Sequence, residues 1–319
     1  MQRVLPVILL SLSAWLSACS DEAASPASLA GSAAGTSDRS VDHFTEVEQW
    51  YAGRLQRLTK PDGWLSLVGL HWLESGEHSI GRAADNDIVL AAGPEHFGRL
   101  SVSGNQVDFT PANDLAFTVD EADDLGPEAA PRYRLHTDLE PMTSVVASGT
   151  VSFLVIDRGG RLGLRVRDSA AAARRDFQGI ERYPVDPSWR IVADWVANAE
   201  PRQFQIQTVI GTIDPMPSPG YARFVRDGQE FVVHPVIEQG EEDLFIIFAD
   251  RSNGRETYGA GRFFYAAWPK DGKIVLDFNK AYNPPCTFSE FSTCPLPPPE
   301  NRMDTLVRAG EKKYQSPGH

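Results

Sequence analysis

The sequence predicts a mainly β protein: an antiparallel sandwich or partly closed barrel with one N-terminal helix and a proline-rich C-terminal loop. Three observations carry that expectation. Short runs rich in β-branched and aromatic residues recur from about residue 64 to residue 280, separated by gaps rich in Gly, Asp and Asn. The pairs Gly104-Asn105, Gly159-Gly160, Asp227-Gly228 and Asp271-Gly272 are two-residue hairpin signals, which favour antiparallel meanders over βαβ crossovers. Helical spacing is confined to the stretch from His43 to Thr59 and to a short segment from Ser169 to Phe177.

Residues 1–18 place one positive charge, Arg3, ahead of an apolar stretch from Val4 to Trp15 that is too short to cross a bilayer, which is the layout of a secretory signal peptide. It ends in Leu16-Ser17-Ala18-Cys19, which resembles the bacterial lipobox. That resemblance implies cleavage before Cys19 and lipidation of its thiol. Two acyl chains on Cys19 and a third on the freed amine exceed the two-signal threshold for stable anchoring, at about 0.8 kcal/mol per buried CH₂. Ser20, standing where an Asp would signal retention, resembles the sorting pattern of Gram-negative outer-membrane lipoproteins. The expected location is the bacterial cell envelope, on the periplasmic side of the outer membrane in a Gram-negative cell, with the lipid anchor as membrane partner. Residues 19–42, rich in Ala, Ser and Gly, read as a flexible tether because they hold too little apolar surface to offset ordering entropy.

From His43 the pattern HFTEVEQWYAGRLQRLT sets Phe44, Val47, Tyr51 and Leu55 on one helical face, and Pro61 and Gly63 end the helix. The period then changes. GWLSLVGLHWLESGEHSIGR reads as a strand, a turn at Glu74-Ser75-Gly76-Glu77 and a strand, and NDIVLAAG, GRLSVSGNQVDFTP, YRLHTDL, VSFLVIDRGGRLGLRVRD, QFQIQTVIGTID, YARFVRDGQEFVVHPVI, DLFIIFAD, TYGAGRFFYAAWP and GKIVLDFN follow as strands. The expected folded body spans 43–315, with two sub-parts splitting near 125–131 and a tail at 316–319.

Of the 319 residues, 30 are Lys or Arg and 43 are Asp or Glu, a net charge of −13. Nucleic acid, itself a polyanion, is therefore excluded as a partner for the body as a whole. No Gly-x-Ser-x-Gly elbow, Gly-Lys-Ser/Thr phosphate loop, His-Glu-x-x-His or dinucleotide glycine triplet occurs, so no cofactor or metal is expected. Ser79-Ile80-Gly81-Arg82 followed by Asn86-Asp87-Ile88-Val89-Leu90 resembles the opening of a forkhead-associated domain, whose arginine grips phosphothreonine. The Ser-Arg-x-His expected next is replaced by the stretch from Gly93 to Gly98, so phosphopeptide binding is not assigned.

The densest chemistry lies near the C-terminus. Arg255-Glu256-Thr257-Tyr258-Gly259-Ala260-Gly261-Arg262-Phe263, the stretch DFNKAYNPPC from Asp277 to Cys286, and CPLPPPEN from Cys294 to Asn301 are specific motifs. Together with GWLSLVGLHWL, SIGR with NDIVL, and Tyr183-Pro184-Val185-Asp186, they resemble the uncharacterised bacterial family called domain of unknown function 1684, over about Phe44 to Lys312. The resemblance implies a family and no catalytic roles. In an exported chain Cys286 and Cys294 are expected to form a disulfide; a zinc site would need two more ligands, and no histidine lies between His234 and His319. The bond would pin the proline-rich loop across the sheet or over a pocket mouth.

If the strands flanking Asp271-Gly272 pair as a hairpin, Tyr258, Arg262, Asp277 and Asn279 share one face. Arg255, Tyr258, Arg262, Asn279 and Tyr282 are then candidates for binding a small polar or anionic ligand, and the same residues equally describe a structural network of satisfied charges. His71, Glu256 and Asp277 are the candidate acid-base groups of an alternative reading, an envelope hydrolase. His71 on an apolar strand also reads as a half-buried structural imidazole. Arg165, Arg167 and Asp168 carry the same ambiguity. Trp64, Trp72, Trp189 and Trp195 read as sugar-stacking rings or core. A scaffold without a small ligand is a third reading. Binding is favoured because no nucleophile or metal constellation can be assembled from local spacing.

Overall fold

The computed structural model describes residues 34–126 and 131–315. The expected signal peptide, Cys19, most of the tether and the tail lie outside the described residues. The chain opens with helix α1 (Ala34–Leu58), which starts nine residues before the expected His43 and takes in the end of the stretch read as tether. Its inward face also differs. His43, Val47, Arg54 and Leu58 are buried, whereas Phe44 is 52% exposed. The apolar count misplaced this face because two of its four inward residues are polar and are accommodated by hydrogen bonds rather than by apolar contact.

Two β units follow. The first contains β1 (Leu67–Trp72), β2 (Gly76–Gly81), β3 (Ile88–Val89), β4 (Gly98–Ser103), β5 (Gln106–Pro111), β6 (Thr118–Asp120), β7 (Ala122–Asp124), β8 (Tyr133–Leu135), β9 (Val145–Ser148), β10 (Val151–Arg158) and β11 (Arg161–Asp168). They form a five-stranded sheet, β1-β11-β10-β9-β6, and a six-stranded sheet, β3-β2-β4-β5-β8-β7. One apolar cluster fills the space between them, with Phe97, Phe109 and Phe153 packed edge to face. A single-turn helix, α2 (Ala172–Arg175), is what forms within the segment expected to be helical from Ser169 to Phe177.

The second unit contains β12 (Arg190–Gln207), β13 (Ile213–Arg226), β14 (Gln229–Val233), β15 (Leu244–Asp250), β16 (Arg262–Ala266), β17 (Lys273–Asp277) and β18 (Arg302–Met303). The sheets are β14-β13-β12-β17 and β16-β15-β18. Among the described strands, pairing is antiparallel except at β2/β3 and β15/β18. A core containing Phe224, Phe231, Ile246, Phe248, Phe264, Leu276 and Phe278 joins these sheets.

The two largest apolar clusters divide between Asp168 and Pro187 rather than near 125–131. That earlier stretch joins β7 to β8, which pair with each other, so its low apolar content marks a connection inside one sheet. Three of the four hairpin signals turn where expected, between β4 and β5, β10 and β11, and β13 and β14. At the turns after β10 and β13 both central residues have positive φ, as this turn class requires.

The fourth signal closes a single bridge, Lys270 with Lys273, without pairing the strands that flank it. Asp271 and Gly272 do turn, with φ of 52° and 70°. Yet β17 pairs with β12, Arg190 opposite Asp277 through Asp194 opposite Lys273, while β16 pairs with β15. A local turn fixes chain reversal; the sheet that takes up the returning strand is set by which apolar face it can complete. The expected shared face of Tyr258, Arg262, Asp277 and Asn279 therefore does not form.

The Ser79-Ile80-Gly81-Arg82 motif has a steric explanation. A Cβ on Gly81 would lie 2.2 Å from the Glu95 carbonyl oxygen, against backbone that cannot rotate away. Gly81→Ala should therefore lower stability by about 1–3 kcal/mol, the usual range for overpacking, seen as a lower urea midpoint with an unchanged slope.

Candidate functional site

The structure separates the residues expected to converge. Arg262 is 0% exposed and pairs with Asp250 at 2.9 Å, not with Asp277. Its guanidinium also donates to the carbonyls of Ala309, Val307 and Glu311 at 2.5, 2.8 and 3.2 Å. Asp277 takes a 2.8 Å hydrogen bond from His43 of α1 and accepts from the backbone and side-chain nitrogens of Asn279. Asn279 closes a two-way pair with the Asp186 backbone. Tyr282 stacks on Tyr265 and lies under Arg54, 4.5 Å from its guanidinium carbon. These groups build closed networks.

The remaining candidates are apart from these. Arg255 is exposed, and Tyr258 is half-buried with its phenol pushed up by burial. Glu256 accepts from Tyr183 and, in a bidentate fork, from Arg308. His71 sits on edge strand β1 in the first unit, opposite Leu164, its imidazole pushed down by burial. Among the described residues no hydrogen bond or ion pair joins His71 to Glu256 or Asp277, so the acid-base set of the hydrolase reading is not assembled. Trp189 is buried core, and Trp195 packs against that core.

Sequence reasoning missed His43, Arg54, Asp250 and Glu311. Arg54 donates to Asn283 O at 2.8 Å and to Glu311 at 3.3 Å, and Glu311 accepts from Asn283 N at 2.7 Å. All are distant in sequence, and no local spacing signals their meeting.

A different set converges on the outer face of the five-stranded sheet. Burial there is nearly continuous along β10 and β11, so both faces of the sheet are covered. The register puts Arg165 opposite Leu70 on one side and Leu154 on the other, with Arg167 two residues along on the same face. The cover over Arg165 includes two elements. Trp64, in the turn before β1, lies 5.5 Å from the Arg165 guanidinium carbon. Thr293, in the loop closed by Cys286 and Cys294, accepts from Arg165 Nη2 at 3.3 Å and from Arg158 Nε at 3.0 Å.

The charge balance of this seam is unusual. Arg158 is neutralised by a bidentate pair with Asp138 at 3.0 and 2.7 Å. Arg165 is 4% exposed, yet among the described residues no carboxylate reaches it within ion-pair distance, and its Nε is buried without a partner. Arg167 shares both properties: no ion pair, and a buried, unpartnered Nε. Burial, aided by the neighbouring Arg158 charge, pushes the Arg165 guanidinium down to about 10, and burial lowers Arg167 as well. Both remain cationic at neutral pH. The arrangement presents one positive fork, Arg165, against a hydroxyl-bearing loop with a second, Arg167, on the same sheet face, which is chemistry for holding an oxyanion.

That loop is fixed by the expected disulfide. Cys286 and Cys294 are bonded with Cα atoms 6.2 Å apart. The segment after it runs along the β12 end, where Leu296 N donates to Gln207 O at 2.7 Å and Val209 N to Cys294 O at 3.0 Å. Replacing both cysteines by serine should cost about 2.5 kcal/mol in the loop-entropy account, read as a drop in denaturation midpoint under oxidising conditions only.

Glu256 gives a pH test of the exposed network. Hydrogen bonds from Arg308 and then Tyr183 hold its carboxyl below the ordinary 4.5. The stability they supply is present above that value and is lost as pH falls below it. Urea midpoints of the wild type and Glu256→Gln should differ at neutral pH and converge as pH falls well below 4.5. The gap should stay under about 1 kcal/mol because water screens the site.

No curated protein compared matches this chain. Among solved structures, the chain is similar to the solution NMR structure of an uncharacterized protein of Haloarcula marismortui, with 30% identity over 44% of this chain and 79% of that one and a TM-score of 0.38. Residues 175–312 match the family described as Protein of unknown function (DUF1684), a shorter span than the expected 44–312 because the strands of the first unit lie outside it. The chain, through its second β unit and proline-rich loop, belongs to that family.

Proposed function

We propose that the protein is a lipid-anchored component of the bacterial cell envelope that binds a small oxyanion at Arg165 and Arg167, beneath the disulfide-closed loop. The reading rests on one observation: Arg165 is almost fully buried, without a carboxylate partner and with an unpartnered Nε. Burying an uncompensated charge carries an effective penalty of several kcal/mol, so a fold that keeps such a group obtains its compensation from outside the chain. A bound anion supplies it, and the guanidinium fork matches an oxyanion in geometry as well as charge. The anchoring follows from the sequence around Cys19, and the net charge of −13 disfavours direct adhesion of the body to anionic lipid.

Two measurements test this. Titration calorimetry with acetate and sulfate should show saturable binding that Arg165→Met weakens at least about ten-fold. The same substitution should leave stability unchanged or raise it without ligand, since it removes an unpaired buried charge. Unaltered anion binding together with a fall in stability would overturn the assignment and make Arg165 a structural group. For the anchor, Cys19→Ala should abolish incorporation of labelled palmitate and move the protein to the soluble fraction; retention in the membrane fraction would contradict it.

A further inference from the structure

We infer that the seam selects a fully ionised oxyanion, a sulfate, sulfonate or carboxylate group, and rejects phosphate, with Thr293 as the residue that completes this choice. The inference rests on the oxyanion reading above and names the ligand class for the same site.

Thr293 Oγ1 accepts from Arg158 Nε at 3.0 Å and from Arg165 Nη2 at 3.3 Å. A hydroxyl oxygen has two acceptor sites and one proton, so both acceptor sites are used and the proton is left to donate. The free Nε–H groups of Arg165 and Arg167 can only donate. An anion entering beside Arg165 therefore meets two donors, the Arg165 Nε–H and the Thr293 proton, with the Arg167 charge nearby.

Of the charged acceptors nearby, Asp138 is committed, and Asp62 and Asp214 stand off, Asp214 acting on Arg158 while Arg165 and Arg167 feel other charges. Asp138 is held by both terminal nitrogens of Arg158, and its Oδ1 also accepts from the Asp157 backbone nitrogen. Asp62 acts on Arg167 from beyond ion-pair distance and is exposed. Arg165 feels the charges of Arg158, Asp138 and Arg167. None of these offers a carboxylate free to receive a proton from the ligand.

This asymmetry discriminates between anions of similar size. Sulfate, sulfonate and carboxylate groups are acceptor-only at neutral pH. Inorganic phosphate keeps at least one P–OH, which would be buried against donors and left unsatisfied. An unsatisfied buried polar group costs about 1–3 kcal/mol, which converts to about 5- to 150-fold in affinity. The discrimination is a mismatch built against the wrong ligand rather than an extra contact for the right one.

Calorimetry of the purified protein with sulfate, acetate and inorganic phosphate, at matched ionic strength near neutral pH, tests it. Sulfate should bind at least about ten-fold more tightly than phosphate. Thr293→Val, which keeps the shape and removes the donor, should weaken sulfate and acetate by about five-fold or more, and Thr293→Ser should restore them. Phosphate binding as tightly as sulfate, or Thr293→Val leaving sulfate unaffected while Arg165→Met still abolishes it, would overturn the selectivity and leave the oxyanion site standing. Sulfate binding that ignores Arg165→Met, or no binding of any of the three anions, would remove both.

Discussion

Arg262 lies fully buried in the second unit, and its charge is tolerable there because Asp250 meets it within the same core. That pair organises more than its own neighbourhood. Asp250 caps its turn through Ser252 N and accepts from Val307 N, while Arg262 takes the carbonyls of Val307, Ala309 and Glu311. The C-terminal segment is thereby strapped across β15 and β16. Held in this way, Glu311 can receive Arg54 and the Asn283 amide, and those contacts seat helix α1 on the body. His43 with Asp277 and Lys280 with Glu46 add further attachments along the same helix. Removing Asp250 would expose one cation's full desolvation penalty and loosen each step that follows.

Two of the buried arginines, Arg262 and Arg165, differ in what balances their charge. Both have a buried Nε without a partner. Arg262 has a carboxylate in contact and three carbonyl acceptors, so its charge is cancelled inside the fold. Arg165 has a single hydroxyl acceptor and a tryptophan face. The fold therefore stores unbalanced positive charge on the outer face of the first unit's sheet, where the disulfide loop of the second unit closes over it. Such a site needs both units, which accounts for its absence from any single sequence motif.

Much of the architecture was legible because it is local. Gly159-Gly160 and Asp227-Gly228 demand positive φ, and the β-branched runs around them have no helical alternative. The disulfide followed from the expected export and from the spacing of Cys286 and Cys294. The site was less legible, and the reason is physical. Its proposed location depended on β16 and β17 pairing through Asp271-Gly272, and the turn formed while the strand joined β12. Register between distant strands is decided by burial of whole faces, which a pair of turn residues does not encode. The inward face of α1 failed for a related reason: His43 and Arg54 are buried by partners more than 200 positions away. Arg165 and Arg167 were visible as alternating charges on a strand, but whether each has a carboxylate partner is a property of the assembled molecule.

The unpaired guanidiniums of the seam are proposed to await an anion. Proton–nitrogen correlation spectra of the arginine Nε–H groups, recorded while sulfate is added, address that proposal most directly because they report each fork separately. The account predicts saturable shifts of the Arg165 and Arg167 Nε–H resonances while that of Arg262 stays fixed. Arg165 and Arg167 signals unmoved by sulfate, or shifts shared equally by Arg262 and the surface arginines, would contradict it.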